Sequence, residues 1–382
     1  MTRAVPTSPS AARPAAHRVH NPYAPLSESE PQPGTRWLKG NIHVHTREAL
    51  DESISMDRIH GEDHDEVIRR SQAAPFHFDF VCTSVHPYLN NIELFSRGEQ
   101  RDDFVVIPGR EIQNDTIDDG GYLDGYFDGY FAGEHSKYLH VLSMGKVGGL
   151  SICAHPNFFE TTRPREGGEW TQIKKTLLNP CARLAEMNIM GMDVYNGLSI
   201  LEEHMGARPY APHMAEPCWD DLLCEGVRCA GFAGNDEFYR EQYVYENYAP
   251  LGFIMVAAAL NEADILRNVK RNRFYASTGV MLADTPLAMS EQQGRYTLRV
   301  SAQGKVKWKA MVQRGVDPTG AGEPDAPQLI EITAPTAAAE WELELDGDWK
   351  YVRFQAESLD NSLHRAWLQP IYGPGWVDYK TL

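Results

Sequence analysis

From Trp37 onward the chain alternates short apolar runs with polar or glycine-rich breaks: WLKGNIHVHT, FDFVCTSVH, FVVIPGREI, YLHVLSMG, GLSICAHPN, MDVYNG, VRCAGFAGND and PLGFIMVAAA. Their length and their Val, Ile and Phe content suit buried strands of a parallel sheet. Helix-like stretches separate several of them, at 65–74 (DEVIRRSQAA), 172–187 (QIKKTLLNPCARLAEM) and 216–225 (EPCWDDLLCE). Strand and helix in alternation predict an α/β fold, either a βα barrel or an open doubly wound sheet. Polar or charged residues close nearly every run. Barrels collect chemistry at the C-terminal ends of many strands, whereas open sheets concentrate it at one switch point, so a TIM-like barrel is the expectation.

After Asn261 an amphipathic stretch, ADILRNVKRNR, leads into FYASTG, and beyond about residue 285 the pattern changes. RYTLRVSAQ, KVKWKAMVQ, WELELD and YVRFQAES alternate apolar with polar positions between turn residues, as in an antiparallel sandwich. The first 35 residues are rich in Pro, Ser and Ala and lack periodicity. Three regions follow: a disordered or extended arm (1–35), a barrel (36–285), and a small all-β, sandwich-like C-terminal domain (286–382).

Composition restricts the partners. Lys and Arg total 36 against 53 Asp and Glu, a net charge of −17. Affinity for nucleic-acid polymers comes largely from neutralising phosphates with Lys and Arg, so such a ligand is disfavoured and a small-molecule substrate is expected. The 14 His add to a store of groups that bind divalent metals. The six cysteines form no CxxC pair; Cys82 and Cys153 lie in apolar runs, where a reduced thiol acts as a small core residue. Neither a signal-peptide core nor a run of roughly 18 apolar residues occurs, so a cytoplasmic protein without a membrane partner is expected. Neither GxGxxG nor a P-loop follows any candidate strand. Oligomeric state is not encoded in any of these features.

The chemistry-bearing residues sit at the ends of the apolar runs. In an extended strand residues two apart face the same side, so His43 and His45 in NIHVHT present two imidazoles to one point, a spacing that fits zinc, manganese or iron. Alone, the pair could equally be two exposed strand histidines. Five further ends carry ligand-type residues: His86 after FVCTSV, Glu111 after VVIPGR, His140 in YLHVLS, His155 in ICAHPN and Asp236 in FAGND. Six strand ends of this kind in one domain are hard to explain as solvation.

In their order, HVHT at 43–46, the His86 segment, PGREI at 108–112, His140, AHPN at 154–157 and GND at 234–236 resemble the PHP (polymerase and histidinol phosphatase) superfamily of metal-dependent hydrolases. The resemblance covers about residues 36–285, and WLKGNIHVHT, DVYNG and NRFYASTG look like its carbaryl-hydrolase-like branch. It implies a distorted (βα)7 barrel holding two or three divalent ions (zinc, manganese or iron). His43, His45, Glu111 and Asp236 would hold the first, with Glu111 bridging to a second held by His140 and His155. Glu111, Asp236 and His86 would carry the catalytic work. A third site would fall on Asp51, His86 and position 238. Phe238 stands where an imidazole is expected and a phenyl ring cannot coordinate a cation; Ser84 and Val85 replace the usual acid before His86. Glu237, His204 and His213 are the nearby substitutes, and a binuclear centre is the expectation.

Substrate residues follow from position. Asn157 and Asn196 close strands, and Arg240 is the nearest cation to Asp236. Arg110 should turn away from Glu111 by strand alternation. The stretch 120–138, GGYLDGYFDGYFAGEHSKY, holds Tyr126 and Tyr130 in a glycine-rich aromatic loop that could cover the metals or simply pack. The expected activity is metal-dependent hydrolysis, with a metal-bridged hydroxide attacking a small phosphorylated metabolite or nucleotide. Ester, amide or carbamate hydrolysis would use the same centre, and a degenerate barrel serving as a binding or assembly module is the non-enzymatic reading.

Overall fold

The computed structural model describes residues 19–24, 34–47, 62–87, 93–113, 139–156, 169–180, 182–197, 214–236, 250–314, 329–347 and 349–379. All eight apolar runs form strands: β1 (Arg36–His45), β2 (Phe80–Ser84), β4 (Val105–Gln113), β5 (His140–Met144), β6 (Leu150–Ala154), β7 (Ile189–Asn196), β8 (Ala230–Gly234) and β9 (Phe253–Ala258). A two-residue β3 (Glu99–Gln100) adds to the edge of β4.

These strands do not make the expected helix-rich (βα)7 barrel. They build one large mixed sheet in the order β9-β1-β2-β4-β5-β6-β7-β8. The steps β1–β2, β2–β4, β6–β7 and β7–β8 are parallel, and β9–β1, β4–β5 and β5–β6 are antiparallel. The sheet curls until β8 meets β1, where Asn235 N–H donates to Asn41 Oδ1 at 3.3 Å. No ladder among the described residues seals that seam, so the sheet stays open. The antiparallel steps have a local cause. Residues 145–149 alone join β5 to β6, and parallel neighbours need a crossover of roughly a dozen residues; Gly145 (φ 78°) and Gly148 (φ 62°) take the left-handed turn that makes the hairpin.

Only five helices occur among the described residues. His64–Gln72 buries Val67 and Ile68 in a cluster with Val44, Val81 and Val106. Alternate residues of the same strands, Phe80, Cys82, Val105 and Ile107, join Ile42, Leu142, Ile152 and Phe232 in a second cluster, which helix Glu262–Lys270 completes through Ile265, Leu266 and Val269. Asn261 caps that helix by accepting from Asp264 N–H at 2.9 Å. The single helix expected over 172–187 is instead two, Glu169–Leu178 and Ala182–Glu186. Pro180 lies between them and cannot donate the backbone bond that continuity needs. The fifth helix, Glu216–Cys224, starts with Pro217 near its N-terminus and buries Trp219, Leu222 and Leu223.

Beyond β10 (Phe274–Ser277) come β11 (Leu282–Gln292), β12 (Arg295–Arg314), β13 (Leu329–Thr333), β14 (Ala338–Asp346), β15 (Trp349–Glu357), β16 (Arg365–Leu368) and β17 (Ile371–Tyr372). The first half of β12 lies between β11 and β14, and its second half between β13 and β15. Strand β10 pairs with β9 on one side and β16 on the other, so the early and late strands share one sheet. A buried ion pair crosses the same junction. Arg353 on β15 donates to both oxygens of Asp220 at 2.6 and 2.5 Å and lies over the Trp219 ring at 4.9 Å. From the first 35 residues, Tyr23 docks beside β10: its hydroxyl donates to Phe274 O and accepts from Gln369 N–H. None of the five described cysteines forms a disulfide with another described residue. No described helix is long and apolar enough to cross a membrane.

Candidate metal centre

The centre starts from an irregularity in β1. Its ladder with β2 pairs Asn41 with Val81 and then Val44 with Thr83, so Ile42 and His43 together oppose Cys82 alone. Such a bulge re-aims side chains. It puts Ile42 in one apolar cluster and Val44 in the other, and turns both His43 and His45 toward Glu111 on β4. Asn41 fixes the distortion by accepting His43 N–H at 3.1 Å and Asn235 N–H across the seam. There Gly234 leaves the room His43 needs, since a Cβ on Gly234 would stand 3.3 Å from His43 Cβ.

Glu111 is the hub. Its Oε2 lies 2.9 Å from His43 Nε2, 3.3 Å from His45 Nε2 and 3.1 Å from His86 Nε2. Oε1 lies 3.0 Å from both His140 Nδ1 and His155 Nε2. Asp236, just beyond β8, places Oδ1 at 3.0 Å from His45 Nε2 and 3.5 Å from His43 Nε2, with Oδ2 at 3.6 Å from His155 Nε2. The structure thus gathers seven of the residues singled out from the sequence, His43, His45, His86, Glu111, His140, His155 and Asp236, from six stretches of chain, and buries all of them. His155 (φ 26°) and Asp236 (φ 54°) hold left-handed backbone that non-glycine residues rarely adopt.

The chemistry of the donor set fits a divalent cation. His43 Nε2 and His45 Nε2 face each other at 3.1 Å while both face carboxylate oxygens. A neutral imidazole carries one N–H, so this many acceptors converging on one buried point need positive charge. Within each of two sets, His43, His45, Glu111 and Asp236, and Glu111, His140 and His155, the ligand atoms lie within 4.8 Å of one another, and each set could hold a metal ion. Imidazole nitrogen with carboxylate oxygen is a ligand set for zinc, manganese or iron. His86 stands outside both sets, stacked on His45 at 4.5 Å with the planes 2° apart.

Electrostatics agree with that reading. Burial alone would raise the Glu111 carboxyl, but His43 and His86, with hydrogen bonds from His140 and His155, pull it well below the usual range. Asp236 is likewise lowered, burial being outweighed by His43 and His45. Burial works against the proton on His43, yet Asp236 and Glu111 raise its pKa. The two carboxylates that favour a proton on His43 would favour a cation in its place.

Asn196, at the end of β7, is buried beside Asp193 rather than at the hub. Arg110 turns away as strand alternation requires, with its guanidinium 4.5 Å over Phe95 and 3.6 Å from Glu93. Asp51, Tyr126, Tyr130, Asn157, Arg240 and Phe238 lie outside the described residues, as do Glu237, His204, His213 and the loop 120–138. Three residues at the site carry no spacing signal. Asn41 is one, and Ser84, whose Oγ lies 3.5 Å from His45 Nδ1, is another. The third is Asp193, whose Oδ2 accepts His155 N–H at 3.2 Å. Asp193 was visible only as a lone acid inside the run MDVYNG, a burial that is costly without partners.

No family model matches the chain, and no curated protein or solved structure matches it.

Proposed function

We propose that the chain is a metal-dependent hydrolase acting on a phosphoester of a small metabolite or nucleotide. The observation that carries the reading is Glu111, whose two oxygens each face buried imidazoles from different strands. His43, His45, Glu111 and Asp236 would hold one divalent ion, and Glu111, His140 and His155 a second. The ordered likeness of these residues to the PHP superfamily supports the same reading. Bound cations would supply Lewis acidity, easing ionisation of water near neutral pH and stabilising charge that develops on an attacked phosphorus. The chain's own part is positional. Glu111 spans both ligand sets, the burial of Glu111 and Asp236 keeps their carboxylates from bulk water, and His86, outside both sets, would hold or move a proton at Nε2.

A second reading, hydrolysis of a carboxylic ester, amide or carbamate, draws on one observation. Glu111 and Asp236 pair with histidines, and Arg110, the residue beside Glu111, lies with its guanidinium over the Phe95 ring and 3.6 Å from Glu93 rather than at the hub. Phosphomonoesters, phosphodiesters and aryl esters assayed with manganese or zinc separate the two readings. Turnover of the phosphoesters supports the first, and turnover confined to aryl esters replaces it with the second. His43→Ala should lower either activity by more than about 100-fold, because loss of a group that merely orients a ligand already costs 10–100-fold. Retention of full activity by His43→Ala would reject a metal-dependent mechanism at this site.

A further inference from the structure

The two ligand sets are built on different footings. Glu111, His140 and His155 come from neighbouring strands in register: His140 is the ladder partner of Gln113, two residues past Glu111, and of Ala154, the residue before His155. The other set spans the seam. His43 and His45 stand on β1 and Asp236 just past β8, and no ladder among the described residues joins those two strands. Yet Asp236 Oδ1 lies 3.0 Å from His45 Nε2 and 3.5 Å from His43 Nε2. Something other than a ladder has to set that spacing.

A single oxygen reaches both sides. Asn41 Oδ1 accepts His43 N–H at 3.1 Å and, from across the seam, Asn235 N–H at 3.3 Å. The first amide belongs to a ligand, and the second to the residue directly before one. Asn235 is held a second time, its own Oδ1 accepting Gly252 N–H at 2.7 Å. Pinned by main chain and side chain, it leads into Asp236, whose φ of 54° a non-glycine residue keeps only where its surroundings restrain it. Packing here is close: a Cβ on Gly234 would stand 3.1 Å from Ile42 Cγ1 and 3.3 Å from His43 Cβ. Asn41 and Asn235 are both buried, so bulk water does not compete for these bonds. Asn41 Nδ2 has no hydrogen-bond partner among the described residues, so toward them the side chain acts through its oxygen alone.

We propose that Asn41 is a positioning residue for the first ion. Its Oδ1 joins β1 to β8 and so sets the separation of His43 and His45 from Asp236, while the ligands of the second ion are set by ladders and do not depend on it. Ligand groups must be held within about 0.5 Å of the productive geometry for a site to work. A seam joined through one side chain is where that tolerance is lost first.

The inference rests on the two-ion reading of the centre, and cobalt titration of the intact chain tests the two separately. The unaltered chain should take up two ions. Asn41→Ala should weaken one of them by about 10–100-fold, the loss expected when an outer partner of metal ligands is removed, and leave the affinity and visible absorption bands of the other in place. Added to His45→Ala, which already lacks a ligand of the first set, it should cost nothing further. Unchanged affinity for both ions in Asn41→Ala would overturn the proposal. So would equal weakening of both, or further loss in the His45→Ala background, because either marks a residue that only supports the fold. Should Asn41→Ala fail to fold, amide hydrogen exchange on the unaltered metal-free chain decides. One oxygen holding both amides predicts that His43 N–H and Asn235 N–H open together and are protected to the same extent; protection that differs between them would overturn the proposal. An unaltered chain that binds fewer than two ions would end the two-ion reading, and this one with it.

Discussion

Glu111 is a single carboxylate with five imidazoles within hydrogen-bonding range of its two oxygens, and the energetics of the centre follow from that crowding. A buried anion is tolerable only when compensated, and here the compensation comes from protons or from cations. His43 is where the two compete. Its proton is held more tightly in the folded chain than at its ordinary value, so it stabilises the metal-free protein fully below about pH 6.5 and that contribution is lost as pH rises through the higher folded value. A cation must displace the same proton. The rise in melting temperature on adding zinc should therefore grow between about pH 6 and about pH 8; a rise that is constant or shrinks would place the metal away from His43. At this scale the sequence was informative because His, Glu and Asp closed apolar runs one after another. It was silent on Asp193, since an acid in mid-run belongs to no ligand spacing, and on Asn41 and Ser84, whose types occur everywhere.

The strands themselves were legible from apolar runs of strand length, but their direction was not. Parallel and antiparallel burial produce the same Val, Ile and Phe content, and only the short Gly-rich link 145–149 betrays the hairpin between β5 and β6. The expectation of a helix-rich barrel failed on this point. The bulge in β1 was equally hidden: HVH alternation alone would put Ile42 and Val44 together on one face, whereas the inserted residue sends them to different clusters. Close packing beneath the bulge gives an element-scale prediction. A Cβ on Gly40 would stand 2.2 Å from Phe80 Cζ, inside the ring's van der Waals surface. Gly40→Ala should destabilise the chain by about 1–3 kcal/mol through overpacking, read as a lower denaturant midpoint. An unchanged midpoint would mean that β1 and β2 can separate without cost.

Over the whole molecule, the texture change near residue 285 was visible in the sequence, but not the joining of the two stretches. β10–β16 pairing, as in Ala276 with Trp367, and the Asp220–Arg353 pair, 133 positions apart, tie them together, contacts no local pattern encodes. Arg353 is 2% exposed and Asp220 8%; Arg353→Met would leave the carboxylate buried without its partner, a loss of about 3–5 kcal/mol. Thermal unfolding should then shift strongly downward. A change within experimental error would show that the pair is dispensable to the junction. The net charge of −17 also takes on meaning at this scale. Of 53 acids, two sit at the hub among the described residues, so the bulk of the negative charge lies elsewhere and bound cations would make the cleft locally less negative than the count suggests. An anionic small substrate is compatible with an acidic chain on those terms.

The central claim, that hydrolysis depends on metal held around Glu111, is tested most directly by measuring metal content and hydrolytic rate together on chain purified without chelators, stripped, and reloaded stepwise, beside Glu111→Gln. The account predicts that rate returns in step with bound zinc or manganese, and that Glu111→Gln, folded but missing the carboxylate shared by both ligand sets, recovers neither. A chain that hydrolyses equally well after stripping, or a Glu111→Gln variant that binds the same metal and turns over at the same rate, would contradict it.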